Sequence, residues 1–215
     1  MNHFETHANA LRTKMWTTAG ARFNAARRLS LRERCSTFSI ALLSLVAIAA
    51  GLIGLPTVVV GDQRGVTIDA AVVTSMISVF ILIISLVEGS SRYQVRSERI
   101  HESASRLGNL RENLELAIAK SKTSGSPDYD SVETLSKEYQ AEIDSSPYNH
   151  DPIDYLRFNA AHRKSSEFQL ESGRPRMSFL RAVGVRVGYL GSAIWLSALS
   201  WSTVVPVYVW LLFHA

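Results

Sequence analysis

Two groups of residues in this chain have types and spacing that could do chemistry. The first is Tyr148-Asn149-His150-Asp151-Pro152-Ile153-Asp154-Tyr155, where polar side chains and aromatics meet at a loop-to-helix junction. The second is the hydroxyl series Thr67, Thr74, Ser78 and Ser85 in otherwise apolar sequence, at spacings of one helical stripe. For the first group three readings stand side by side. Asn149 and Asp151 can satisfy free backbone groups at a helix start while His150 bridges to a neighbouring helix. Asn149, His150, Asp154, Tyr155 and Arg157 can instead form a signal or partner contact. A catalytic His150 would need a nucleophile or metal partner that the sequence does not place beside it. For the hydroxyl series, one reading is bonding to the same or an adjacent helix, and the other is lining a water-filled path in an oligomer.

Other chemistry is sparse. There is no glycine-rich phosphate loop, no HExxH and no GxSxG elbow. Gly184-Val185-Arg186-Val187-Gly188 leads into an apolar run and is not a phosphate loop. A single cysteine, Cys35, excludes an internal disulfide and a multi-cysteine zinc site, and its place at the start of an apolar run suits an inert thiol. We expect no enzyme activity, no cofactor and no metal. Arg157, Arg163, Lys164, Arg174 and Arg176 could meet a phosphate-bearing ligand, or serve as surface charges beside anionic lipid.

The elements that must position these groups are set by charge patterning. Residues 35–61 and 70–87 carry no charge, and the connector holds Asp62, Arg64 and Asp69 with Gly61 and Gly65 for a turn. At 1.5 Å per residue the runs reach about 40 Å and 27 Å, against a hydrocarbon core of about 30 Å. This predicts a transmembrane hairpin over residues 36–88. Ala47, Ala50, Gly51 and Gly54 form a small-residue face suited to helix packing, and Pro56 should loosen the last turn of the first span. No ionisable residue lies mid-span, which argues against a proton relay.

Before the hairpin, Leu11, Met15, Ala19, Phe23 and Ala26 recur at helical spacing over residues 8–33, with Arg12, Lys14, Arg27, Arg28 and Arg34 assigned to the opposite surface. A basic amphipathic helix of this kind lies on lipid or packs on a partner helix, and Trp16 suits an interface. Residues 1–35 hold seven Lys/Arg against two acids, while residues 88–187 hold fifteen of each, which accounts for the net charge of +4. Arg92, Arg96 and Arg99 follow the second span. Both ends of the hairpin are therefore expected in the cytoplasm, with no nucleic acid as partner.

After the hairpin a long helix is expected to continue from Glu88, with a seam from Ile100 through Leu107 and Leu114 to Ile118. Residues 121–127 read as a loop, Asp130 as an N-cap paired with Glu133, and Val132, Leu135, Tyr139 and Ile143 as the next stripe. A further helix should begin at Asp151-Pro152 and end near Ser172-Gly173-Arg174-Pro175. Residues 187–215 are apolar, with Pro206 late. They read as a third transmembrane helix, or as a re-entrant helix broken at Pro206.

Trp16-Thr17, Ala21-Arg22 and Ala26-x-Arg28-Leu29 before the hairpin, the long helix after it, then Asn149-His150 and Asp154-Tyr155, resemble the SLATT family. These are the two-transmembrane effector domains associated with SMODS-type nucleotide synthetases and SLOG-type nucleotide sensors in bacterial defence. The resemblance covers most of the chain. It implies a bacterial anti-phage defence effector that disrupts the inner membrane when triggered by a nucleotide second messenger or by a nucleotide-sensing partner protein. A pore would require a homo-oligomer, because a lone helix pair encloses no lumen. The expected architecture is an all-α membrane protein. Its parts are an N-terminal amphipathic helix (1–35), a transmembrane hairpin (36–88), a cytoplasmic helical bundle (89–186) and a C-terminal apolar helix (187–215). The alternative function is a non-pore anchor or scaffold whose cytoplasmic helices bind a partner protein.

Overall fold

A computed structural model describes residues 3–53, 58–60, 66–68 and 70–214. Six helices carry nearly all of it: α1 (His3–Ile53), α2 (Ala70–Ser90), α3 (Tyr93–Ser124), α4 (Tyr129–Ser145), α5 (Pro152–Ala161) and α6 (Phe179–His214). Between α1 and α2, β1 (Val58–Val60) pairs antiparallel with β2 (Val66–Ile68), with Val58 opposite Ile68. The first span is thus shorter than the apolar run that announced it. The β-branched run Val58–Val60 favours an extended backbone and stands as a strand where the apolar run alone suggested helix. Gly54, Pro56, Gly61, Asp62, Arg64, Gly65 and Asp69 lie outside the described residues.

The chain divides into two compact units. Unit 1 contains residues 1–30 and 94–192, and unit 2 contains residues 31–93 and 193–215.

In unit 1 the N-terminal stripe packs on partner helices. Phe4, Ala8, Leu11, Met15 and Ala19 of α1 form one buried cluster with Leu107, Leu114 and Ile118 of α3 and Val132, Leu135 and Tyr139 of α4. Trp16 does not sit at an interface with lipid as anticipated. Its ring lies edge-on to Phe158 (5.1 Å between centroids) and His162 (5.0 Å). Helix α4 starts earlier than expected, because Asp128, not Asp130, caps it: the Asp128 carboxylate accepts from the Ser131 N–H and hydroxyl. Asp151 and Pro152 do open α5. That helix ends at Ala161, well before Gly173, where the His162 N–H bonds to the Phe158 carbonyl. The chain then forms a single 3₁₀ turn (Ser166–Phe168) and a bridge between Gln169 and Pro175. The reversal inside that bridge uses Gly173 at φ 74°, a conformation that glycine adopts without steric cost.

Unit 2 gathers Leu43 and Ala47 of α1, Ile77 and Ile81 of α2, and Val204 and Tyr208 of α6 into one apolar cluster. The remaining surface stays apolar and open, with Leu52 84%, Met76 68%, Leu86 66% and Phe38 66% exposed. Such a surface is costly in water and cheap in lipid. The apolar stretches of α1, α2 and α6 are each long and apolar enough to cross a membrane. Helix α6 continues through Pro206 without the break considered there. Nor does one helix run on from α2 into α3. It is interrupted at Ser91-Arg92, where Arg92 takes φ 48°.

Candidate functional site

The sequence motifs around the hairpin converge in unit 1, on the face of α1 that meets α3, α4 and α5. Asp154 is fully buried at the start of α5. Its carboxylate accepts from Arg28 Nε at 2.8 Å, from Arg28 Nη2 at 2.9 Å and from the Asp151 N–H at 2.9 Å. Asp151, mostly exposed, takes a further bond from Arg28 Nη2. Burial works against the Arg28 charge, but the bonds and charges of Asp154 and Asp151 outweigh it and hold the guanidinium above its ordinary pKa. Asn24 joins the same node: its Nδ2 donates to the Asp154 carbonyl, and its own carbonyl accepts from the Tyr189 hydroxyl at 2.7 Å. Arg28 therefore does not belong on the solvent face to which the helical pattern assigned it.

Arg22, one and a half turns earlier, is 1% exposed and donates to Ser103, which donates in turn to Glu142. Glu142 is also held by Arg106 Nε at 2.7 Å. Burial depresses the Arg22 pKa despite the Glu142 charge. Burial likewise opposes ionisation of Glu142, but its bonds to Arg106 and Ser103 prevail and lower its pKa. Arg22 was legible as an inward residue: it stands seven positions from both Met15 and Leu29, which are buried on the same face.

Of the candidate contact residues, Asp154 is a structural anchor with no free face. His150 is half-buried, with an Nδ1 that has no partner, and its backbone N–H donates to Asn149 Oδ1 at 2.9 Å. Burial pushes its pKa down; Asp154 opposes that shift and Arg22 adds to it. Asn149 and Tyr155 are exposed. Arg157 lies over the Tyr189 ring, 5.7 Å from its centroid. Among the described residues no group of three or more His, Cys, Asp or Glu is placed to hold a metal.

The membrane-depth residues separate differently. Thr67 lies on β2 and so leaves the helical stripe. Thr74 and Ser85 are half-buried and Ser78 is exposed, its hydroxyl donating to the Thr74 carbonyl at 2.9 Å. Ser75, next to the predicted stripe, is also exposed and bonds back to Ala71. Ala47 and the half-buried Ala50 pack within the chain, while Gly51 is exposed; Gly54 is outside the described residues. A polar contact that the sequence reading missed joins α1 and α6: Trp201 Nε1 donates to the buried Ser39 hydroxyl at 3.2 Å. Where the charge-free runs end, Arg32 Nη2 donates to buried Glu88 at 3.1 Å. Its guanidinium covers the Tyr93 ring at 4.4 Å and the Trp195 ring at 5.6 Å.

Three long apolar helices with open apolar faces, and a charged helical unit built on internal ion pairs, define an all-α membrane protein. Residues 4–210 match the family model for SMODS and SLOG-associating 2TM effector domain family 5, and the chain belongs to this SLATT family of membrane-associated effectors. No curated protein and no solved structure matches it. The family description counts two transmembrane helices, whereas this chain presents a third helix, less apolar than the other two, that is still long and apolar enough to cross a membrane.

Proposed function

We propose that this protein is a bacterial defence effector of the inner membrane, which assembles into oligomers and permeabilises the bilayer when a nucleotide signal or a sensing partner engages its helical unit. The observation that carries this reading is the outward face of α2. Ser75 and Ser78 stand exposed there among Val72, Met76 and Val79. A hydroxylated face on a lone helix has no lumen to line; set against the same face of other copies, it does. Ser75 and Ser78 are the proposed lining, with the half-buried Thr74 and Ser85 at its edge, and contacts between copies use the exposed parts of α1 and α2, since Ala47 is already packed within the chain. The N-terminus and residues 93–178 lie in the cytoplasm, consistent with seven Lys/Arg before the first span and three arginines just after the second.

The test is ion or dye flux from liposomes holding the purified protein. Triggered leakage that is lost in a Thr74→Leu/Ser78→Leu variant, with expression and assembly unchanged, is the expected result. No leakage under any nucleotide or partner tried would overturn the reading. A membrane anchor or scaffold is the second reading, and one observation favours it: the Ser78 hydrogen is spent on its own helix, as in an ordinary structural stripe. In that case Thr74→Leu/Ser78→Leu retains full activity in cells.

A further inference from the structure

We infer that the basic groove of unit 1, between the N-terminal part of α1, α5 and the 3₁₀-turn-to-α6 segment, is the binding site for a soluble organic phosphate that carries an aromatic ring. The groove encloses about 950 Å³ and is lined by Arg12, Lys14, Arg163, Arg176 and Arg181, with Glu167 as its one acid. That volume is at the upper end of the roughly 300–1,000 Å³ typical of small-molecule sites. Only Arg12 is paired to an acid, Glu167, at a loose 3.8 Å. Among the described residues, Lys14, Arg163, Arg176 and Arg181 form no ion pair. Lys14 lies over the Tyr139 ring, Arg163 over the Phe179 ring, and Arg176 Nε donates to the Gln169 carbonyl; none of these partners carries a negative charge, so the groove keeps an excess of positive charge that a polyanion relieves. Arginine forks are suited to phosphate oxygens, which they bind two bonds at a time.

Two further lining groups narrow the ligand. Asn159 keeps a buried Oδ1 with no hydrogen-bond partner, so its carboxamide is available to a base edge or a sugar hydroxyl. Tyr155 is 41% exposed and makes no ring contact among the described residues, which leaves its face free to stack. The site also explains how occupancy would reach the rest of unit 1. Tyr155 and Asn159 ride on α5, the helix whose first turn holds Arg28 through Asp154. Two of the five arginine and lysine candidates read from sequence, Arg163 and Arg176, line the groove.

This inference builds on the proposed function in taking the helical unit as the receiver of a signal, but it is tested by binding alone. The full chain in nanodiscs of zwitterionic lipid would be titrated with mononucleotides, cyclic dinucleotides and inorganic pyrophosphate, following tryptophan fluorescence and the melting temperature. Saturable binding of at least one nucleotide is expected, with its Kd raised tenfold or more in Arg163→Gln and Arg176→Gln. Arg163→Lys should recover part of it, and Arg174→Gln, outside the groove, should leave it unchanged. Tyr155→Ala should weaken the nucleotide but not pyrophosphate. Absence of saturable binding, or binding indifferent to Arg163 and Arg176, would overturn the site. Loss of nucleotide binding in nanodiscs of anionic lipid would show the groove to be a headgroup site and would equally overturn the soluble ligand. Binding without leakage would sink the pore and leave the site standing, and leakage without binding would do the reverse.

Discussion

Replacing Asp154 with Asn tests whether the motif node carries the helical unit. The change keeps the shape of the side chain and removes its charge. Asp154 is 0% exposed and accepts three hydrogen bonds, two of them from Arg28, whose own side chain is 8% exposed. After Asp154→Asn, the carboxamide can accept only with its oxygen, and its NH₂ faces donors. Arg28 is left as a buried cation supported by the mostly exposed Asp151. Breaking one partner of a buried pair costs about 3–5 kcal/mol. For a chain of this length each kcal/mol moves the melting temperature by roughly 2–4 °C, so a fall of about 6–20 °C is expected. The assay is thermal unfolding in detergent, followed by helix content, on Asp154→Asn, Asp154→Leu, Arg28→Met and the Arg28→Met/Asp154→Leu double variant. Because burying both charges is itself costly, Arg28→Met combined with Asp154→Leu should be more stable than either single charge removal. A loss under 0.5 kcal/mol for Asp154→Asn, or strict additivity in the double variant, would refute the reasoning.

Two further perturbations bear on the same unit. A methyl group at Gly20 would stand 2.0 Å from the Phe158 ring. Gly20→Ala should therefore cost about 1–3 kcal/mol in denaturant titrations despite the higher helix propensity of alanine, and Phe158→Leu in the same chain should relieve it. His150, lowered from its ordinary 6.5 by burial, contributes stability that is full above that value. As pH falls below it the unfolded chain takes up the proton first, so stability declines toward the lowered folded pKa. Thermal melts between pH 7.5 and 5 should show this decline, and His150→Gln should flatten that part of the profile.

How much of this was legible in the sequence depends on which rule governed each residue. The apolar runs announced the three long helices because hydropathy alone decides them, and Asp151-Pro152 announced α5 because a cap is a local signal. The node was not legible as a node. Arg28 was assigned to solvent by charge, while a partner more than a hundred residues away, Asp154, decided its burial. Thr67 was counted into a helical stripe by spacing, although the β-branched neighbours Val66 and Ile68 place it on a strand. The first span falls short of its apolar run because the β-branched residues Val58–Val60 form a strand, a local preference that the length of the run overrode in the sequence reading. The groove could not be foreseen as a site, since its lining comes from segments distant in sequence and only Arg163 and Arg176 of the five cations read as phosphate binders belong to it.

The central claim is that the hairpin crosses lipid with both ends on one side. The single cysteine makes this directly measurable. In a Cys35→Ser background, cysteines placed at Asp62 and at Lys120 would be probed in intact spheroplasts with a membrane-impermeant maleimide. The account predicts labelling of Asp62→Cys alone, with Lys120→Cys reacting only after lysis. Labelling of Lys120→Cys in intact spheroplasts, or protection of Asp62→Cys, would contradict it.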